Sequence, residues 1–110
     1  MMAEHVVVRR NEAKHHYELF VDGEEAGHIL YRRYKYKPDA VGLIHTEISP
    51  RFEHLGLGGR LVEGALTDIR ECGLSVIPVC RFVGSYIESH PEFHDLVGSL
   101  QPEELRSSDR

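Results

Sequence analysis

The sequence predicts an α/β domain in which four mainly antiparallel strands of a mixed sheet are followed by a helix, a parallel strand and a second helix. Two observations support this order. Apolar residues alternate with polar ones in the first half of the chain, and they recur at helical spacing in the second half. A chain of 110 residues, 41% of them hydrophobic, suits one domain with a sizeable core.

The first half contains four runs of β-branched or alternating apolar residues, over residues 6–8, 17–21, 26–32 and 40–48. Asp22-Gly23 is typical of a tight hairpin turn between the second and third runs. Residues 34–39 resemble a turn-rich connector, because Pro38 is expected to end any hydrogen-bonded ladder there. Pro50 is expected to stop the fourth strand.

The second half begins with an amphipathic helix, whose apolar face comprises Leu61, Val62, Ala65, Leu66, Ile69 and Cys72. Gly73 follows as a C-terminal cap. Gly64 lies inside the helix, where glycine costs about 1 kcal/mol relative to alanine, so we expect it to permit close packing on the sheet. Residues 74–79 then predict a buried strand, and residues 81–89 a second helix that ends before Pro91. A helical crossover makes the fourth and fifth strands parallel.

The composition restricts the partners of the protein. Thirteen Lys and Arg against 18 Asp and Glu give a net charge of −5, which disfavours a nucleic-acid partner. The sequence has neither a membrane-spanning apolar run nor a secretory signal, so we expect a cytoplasmic protein with reduced cysteines and no membrane partner. Because no long apolar surface stripe is left over, we expect a monomer. The predicted domain covers residues 4–97, and residues 98–110 form a polar C-terminal tail.

A glycine-rich segment, Leu-Gly-Leu-Gly-Gly at residues 55–59, connects the fourth strand to the first helix. Glycines let backbone amides approach a ligand, and the first amides of a helix attract anions such as a diphosphate. Arg60-Leu61 stands where a P-loop needs Lys-Ser/Thr, and Leu61 occupies the last glycine position of a dinucleotide fingerprint. Both nucleotide motifs therefore fail. The alternative is that these glycines only make a tight turn.

Five ordered segments together resemble the GNAT superfamily of N-acetyltransferases, and in particular its small branch of roughly hundred-residue domains. They are His45-Thr46-Glu47-Ile48, Gly56-Leu57-Gly58-Gly59-Arg60-Leu61-Val62, Pro78-Val79-Cys80-Arg81-Phe82-Val83, Tyr86-Ile87 and His90-Pro91-Glu92-Phe93. The resemblance covers about residues 4–97. It implies transfer of acetyl from acetyl-CoA to an amine of a small molecule or an exposed protein amine. The alternative is a module that binds coenzyme A or acyl-CoA with little or no catalysis.

The resemblance also implies where acetyl-CoA lies, namely in a sheet that splays between the fourth and fifth strands. The diphosphate would meet the amides of residues 55–59, and the pantetheine arm would run along residues 46–48 like an added strand. The implied cofactor-binding residues are Thr46, Ile48, Leu55, Gly56, Leu57, Gly58, Gly59 and Arg60. One position departs from the superfamily pattern, because Glu53 replaces an arginine or glutamine. Arg51 and Arg60 are candidates to offset that charge, unless both lie on the surface.

Four side chains are candidates for the chemistry of acetyl transfer, which must deprotonate an amine and protonate a thiolate. The resemblance places Cys80 facing the thioester, as a nucleophile or beside the sulfur, and Tyr86 where many relatives hold a thiolate-protonating tyrosine. His45 and Glu47 share one strand face and can accept the amine proton. For each, a purely structural role is the alternative. We expect Cys72 to be a core residue, and we expect no metal site at the pair His90 and His94, since Pro91 interrupts the helix between them.

Overall fold

The computed structural model describes residues 5–98, which form a five-stranded sheet with two α-helices. The elements are β1 (Val6–Asn11), β2 (His16–Val21), β3 (Glu24–Tyr34), β4 (Lys37–Ile48), α1 (Leu57–Glu71), β5 (Ser75–Pro78) and α2 (Arg81–Glu88), with short 3-10 helices at Pro50–Phe52 and Pro91–Leu96. The strand order is β1-β2-β3-β4-β5. The first four strands are antiparallel and β5 is parallel to β4, so the predicted fold class is confirmed.

The predicted hairpin turn joins β2 to β3. Asp22 and Gly23 both have left-handed backbone angles, with φ of 50° and 86°. Val21 pairs with Glu24 across this two-residue turn. Turns of this kind match the right-handed twist of the flanking strands, and they favour Asp-Gly because both central residues need positive φ.

The expected connector over residues 34–39 is wrong. β3 continues to Tyr34 and β4 begins at Lys37, so only two residues separate the strands. Pro38 lies inside β4, where the register with β3 shifts between Arg33 and Tyr34. A proline lacks an amide donor, and an irregularity in the ladder is where a strand tolerates one. The carbonyl of Pro38 accepts a hydrogen bond from the Arg33 guanidinium at 2.8 Å.

Helix α1 covers the sheet with the predicted apolar face. Leu61, Val62, Ala65, Leu66 and Ile69 are fully buried. The helix ends as predicted, because Gly73 adopts the left-handed conformation directly after the C-cap residue.

The expectation that Cys72 is a core residue is wrong, because its side chain is exposed. Cys72 is the C-cap of α1 and no longer lies on the stripe that faces the sheet. Its Sγ accepts a hydrogen bond from Arg10 at 3.3 Å. The same guanidinium contacts the carboxylate of Asp68 at 3.0 Å, and the Tyr17 hydroxyl donates to that carboxylate at 2.7 Å. This network joins β1 and β2 to α1, and nothing in the local sequence pattern predicts it.

The predicted domain, residues 4–97, coincides almost completely with the described residues, 5–98. Of the predicted tail over residues 98–110, only Gly98 lies within them, and its amide donates to the Val76 carbonyl at 2.9 Å. The remainder of the tail, and residue 4, lie outside the described residues. Within residues 5–98, no helix has the length and apolar character needed to cross a membrane.

Gly64 lets α1 pack closely on the sheet, as the sequence predicts. A Cβ added there would lie 2.6 Å from the Cβ of Val8. That atom is fixed near its own backbone and cannot swing away. An added Cβ at Gly84, the glycine inside α2, would meet no described atom within 4 Å. The two positions therefore form a matched pair for mutation.

We expect Gly64→Ala to lower the free energy of unfolding by about 1 kcal/mol, because overpacking outweighs the gain in helix propensity. Gly84→Ala should raise it by roughly 0.5–1 kcal/mol. Thermal and urea unfolding would measure both. In a Val8→Gly background, which removes the contacted Cβ, Gly64→Ala should no longer destabilise. Equal stabilisation by both alanines in the natural background would contradict the close contact.

Candidate functional site

The sheet opens between β4 and β5. Residues 40–43 pair in parallel with residues 75–78, and the last bond across the junction runs from the Cys80 amide to the Leu43 carbonyl at 2.8 Å. Pro78 has no amide to donate, and the Val79 amide bonds back to Ile77 at 2.9 Å, which turns the chain away from β4. In the described part of the chain, residues 45–48 consequently pair with β3 alone.

A bulge in β4 decides which side chains face this opening. Leu43 pairs with Tyr31 and His45 pairs with Leu30, so Ile44 is an extra residue on its strand. An extra residue reverses the alternation of faces. Val41 and Leu43 are buried before the bulge. Thr46 and Ile48 line the opening after it, and His45 and Glu47 point to the opposite face and are exposed.

The first turn of α1 forms the second wall. The helix begins at Leu57, four residues before the apolar face predicted from Leu61, so Gly58 and Gly59 belong to the helix and not to the turn before it. Amides in the first turn have no acceptor within the helix. Gly56 is the N-cap with φ of 77°, and no side chain among residues 5–98 caps the helix there. The amides of residues 57–59 therefore remain available to an anion.

Between these walls lies a cleft of about 530 Å³. Its lining comprises Thr46, Ile48, Phe52, Glu53, His54, Gly56, Leu57, Gly58, Gly59 and Phe82. Six of the eight predicted cofactor-binding residues are thus brought together. Leu55 is 61% exposed and does not line the cleft. Arg60 lines a separate surface depression beside β1.

Neither candidate arginine offsets Glu53. The Arg51 guanidinium forms an ion pair with Glu24 and lies 4.9 Å from the centre of the Phe52 ring. Arg60 faces the depression beside β1. The surface alternative therefore holds for both side chains, and neither Arg51 nor Arg60 lines the cleft together with Glu53.

Two aromatic rings of α2 pack against the glycines of α1. A Cβ at Gly58 would lie 2.9 Å from Cζ of Phe82, and a Cβ at Gly59 would lie 3.5 Å from Cε2 of Tyr86. The missing side chains let the two helices approach at the end of the cleft. These glycines therefore have a packing role as well as giving access to the amides.

Cys80 occupies the inner end of the opening. It is the N-cap of α2, and its Sγ lies 3.5 Å from Oγ1 of Thr46, which lines the cleft. Burial raises the pKa of the Cys80 thiol, but the Thr46 hydrogen bond and the amides of Phe82 and Val83 outweigh it and lower the pKa overall.

Tyr86 lies on α2 next to Gly59. Its ring stacks on His90, with centroids 3.8 Å apart, and burial together with Glu63 and Glu92 raises the pKa of its phenol. His90 Nδ1 donates to the Tyr86 carbonyl at 2.7 Å, and His94 Nε2 donates to the Ile87 carbonyl at 3.0 Å. Both histidines thus cap the end of α2.

His45 and Glu47 are not brought together with Cys80 and Tyr86. His45 Nε2 lies 3.9 Å from the Glu47 carboxylate, which also lies 3.8 Å from Nε2 of His28. The side chain of Glu47 is 65% exposed. These groups occupy the face of β4 turned away from the cleft.

Comparison with known proteins identifies the fold and the family. A family model described as GCN5-related N-acetyl-transferase matches residues 16–96. The chain belongs to this family. The solution structure of a GCN5-like candidate N-acetyltransferase from Staphylococcus aureus superimposes with a TM-score of 0.62 over 92% of this chain and 96% of that one, at 18% identity. That likeness shows a shared fold. No curated protein matches the sequence.

Three residues that line the cleft were not predicted as site residues from the sequence: Phe52, His54 and Phe82. Phe82 is 46% exposed, and a large apolar residue two positions after Cys80 is the signal that could have found it. His54 has a left-handed backbone with φ of 68°, which is uncommon for a residue with a side chain. Its position directly before the glycines was the available signal.

Proposed function

We propose that this chain is an acetyl-CoA-dependent N-acetyltransferase that acts on an amine of a small molecule or an exposed protein amine. Family membership supports acetyl transfer. The observation that supports dependence on acetyl-CoA is the cleft between the unpaired edge of β4 and the uncapped first turn of α1. We further infer a cytoplasmic monomer, in keeping with two free cysteines.

The residues of the cleft fit acetyl-CoA, which supplies an activated acetyl thioester. The amides of residues 57–59 would hold the diphosphate, and the backbone of residues 46–48 would pair with the pantetheine arm. A Cβ at Gly56 would meet no described atom within 4 Å, so this position opens onto space that a ligand can fill. A volume of about 530 Å³ lies in the range of cofactor pockets.

The chain supplies two groups near the end of the cleft that can move protons. The Tyr86 phenol, which like any tyrosine is protonated at neutral pH, is the candidate donor to a departing thiolate. Cys80 lies at the apex of the opening as a nucleophile or a neighbour of the reacting sulfur. On the opposite face, His45 and Glu47 are candidate acceptors of the amine proton.

Glu53 favours a second candidate function, a module that binds coenzyme A or acyl-CoA with little or no catalysis. Glu53 is a lining residue of the cleft, and Arg51, two residues before it, forms an ion pair with Glu24. Like charge near a diphosphate weakens its binding. Tight binding of coenzyme A together with no turnover would select this function over the first.

Radiolabelled acetyl-CoA offered with libraries of amines and peptides tests the catalytic proposal. We expect transfer by the natural protein, and a fall of about a hundredfold in the Cys80→Ala, Tyr86→Phe double variant, because general acid–base groups typically contribute that much. Cys72→Ala is the matched control, since Cys72 lies outside the cleft and should leave transfer intact. Transfer no faster than in the double variant would overturn the proposal.

Glu53→Gln tests the electrostatics of the cleft. Removing this carboxylate should tighten the binding of coenzyme A by about threefold at low salt, and the gain should shrink as salt is added. Isothermal titration calorimetry measures both. Glu12→Gln is the control, because Glu12 pairs with Arg10 outside the cleft. An unchanged or weaker affinity in Glu53→Gln would show that this side chain does not face the bound anion.

A further inference from the structure

We propose that Thr46, which lines the cleft, is a positioning residue for Cys80, and that its hydroxyl holds the Cys80 sulfur where β4 and β5 part and stabilises it as a thiolate. The catalytic meaning of this contact rests on the proposed function. The contact itself does not, because it can be tested on the protein without acetyl-CoA.

The geometry that brings the two side chains together depends on the bulge at Ile44. Without the extra residue, Thr46 would point to the same face as His45 and Glu47 do now. With it, Oγ1 of Thr46 lies 3.5 Å from Sγ of Cys80 across the opening between β4 and α2. This distance is a hydrogen-bond contact for sulfur. Threonine is also β-branched and stiff at χ1, so its hydroxyl direction is well defined.

Among the groups that influence the Cys80 thiol, the Thr46 hydroxyl is the one that a single substitution can remove. The largest influences on the thiol are burial, the Thr46 side chain, and backbone groups of Phe82, Val83 and Thr46. None of these is a charged side chain. A thiolate only accepts hydrogen bonds, so the Thr46 O–H donates to it, whereas in the neutral thiol either group can donate. The contact therefore favours the ionised sulfur.

Threonine also has a near-isosteric replacement that lacks only the hydroxyl. Thr46→Val keeps the shape and the strand preference of the side chain while removing the donor. Thr46→Ser keeps the donor and removes a methyl group. The two variants separate hydrogen bonding from packing, which a change to alanine alone would not.

The rate of alkylation of Cys80 by iodoacetamide, followed by mass spectrometry from about pH 5 to pH 10, reports the thiol pKa directly. Every protein in the series carries Cys72→Ser, so that Cys80 is the reacting thiol. We expect Thr46→Val to move the midpoint to higher pH and to slow alkylation at pH 7 by about three- to tenfold. Thr46→Ser should have the same alkylation midpoint as the Cys72→Ser protein that retains Thr46.

An unmoved midpoint in Thr46→Val, or an equal shift in Thr46→Val and Thr46→Ser, would overturn the proposal. Thr46→Ala provides a second donor-free side chain if the valine variant unfolds, and thermal melts check each variant. Acetyl transfer is measured separately. A shifted midpoint without any acetyl transfer would support the role of Thr46 and contradict the proposed function. Acetyl transfer with an unshifted midpoint would support the proposed function and contradict the role of Thr46.

Discussion

The end of the parallel pairing between β4 and β5 is the constraint on which the site depends. Pairing stops at Leu43 and Pro78, because proline offers no amide and the Val79 amide turns back to Ile77. The chain then leaves the sheet and enters α2. This departure exposes the edge of β4 over residues 44–48, and it places Cys80 at the point where the strands part. A longer β5 would close the cleft and cover the same backbone groups.

Helix α1 makes close contacts in its first turn and in its middle, and glycines permit both. Gly64 lets the middle of the helix rest against Val8, and Gly58 and Gly59 let its first turn meet the rings of Phe82 and Tyr86. The buried residues that start at Leu57 fix the helix along the sheet. As a result its first turn faces the free edge of β4 with uncapped amides. One set of small residues thus permits the packing of the helices and leaves the first amides of α1 uncovered by side chains.

Sequence patterns predicted the parts of the structure that depend on neighbouring residues. Asp22-Gly23 specifies its own backbone angles, the stripe from Leu61 to Ile69 specifies its buried face, and Gly73 ends the helix. The parts that were wrong or missed depend on distant contacts. The strand position of Pro38 follows from the register of β3 and β4, and the exposure of Cys72 from the place where α1 ends. For the site, the glycines and Thr46 could be predicted, but the bulge at Ile44 that separates Thr46 from Glu47 has no local signal.

The direct test of a diphosphate site on the first turn of α1 is an NMR titration of isotope-labelled protein with coenzyme A. The account predicts the largest amide shift changes at Leu57, Gly58 and Gly59, saturating with the same affinity that calorimetry gives. The amides of Gly23 and Gly73, which lie in the β2–β3 turn and after the C-terminal end of α1, should change little. Binding of coenzyme A that leaves those three amides unmoved would contradict the account.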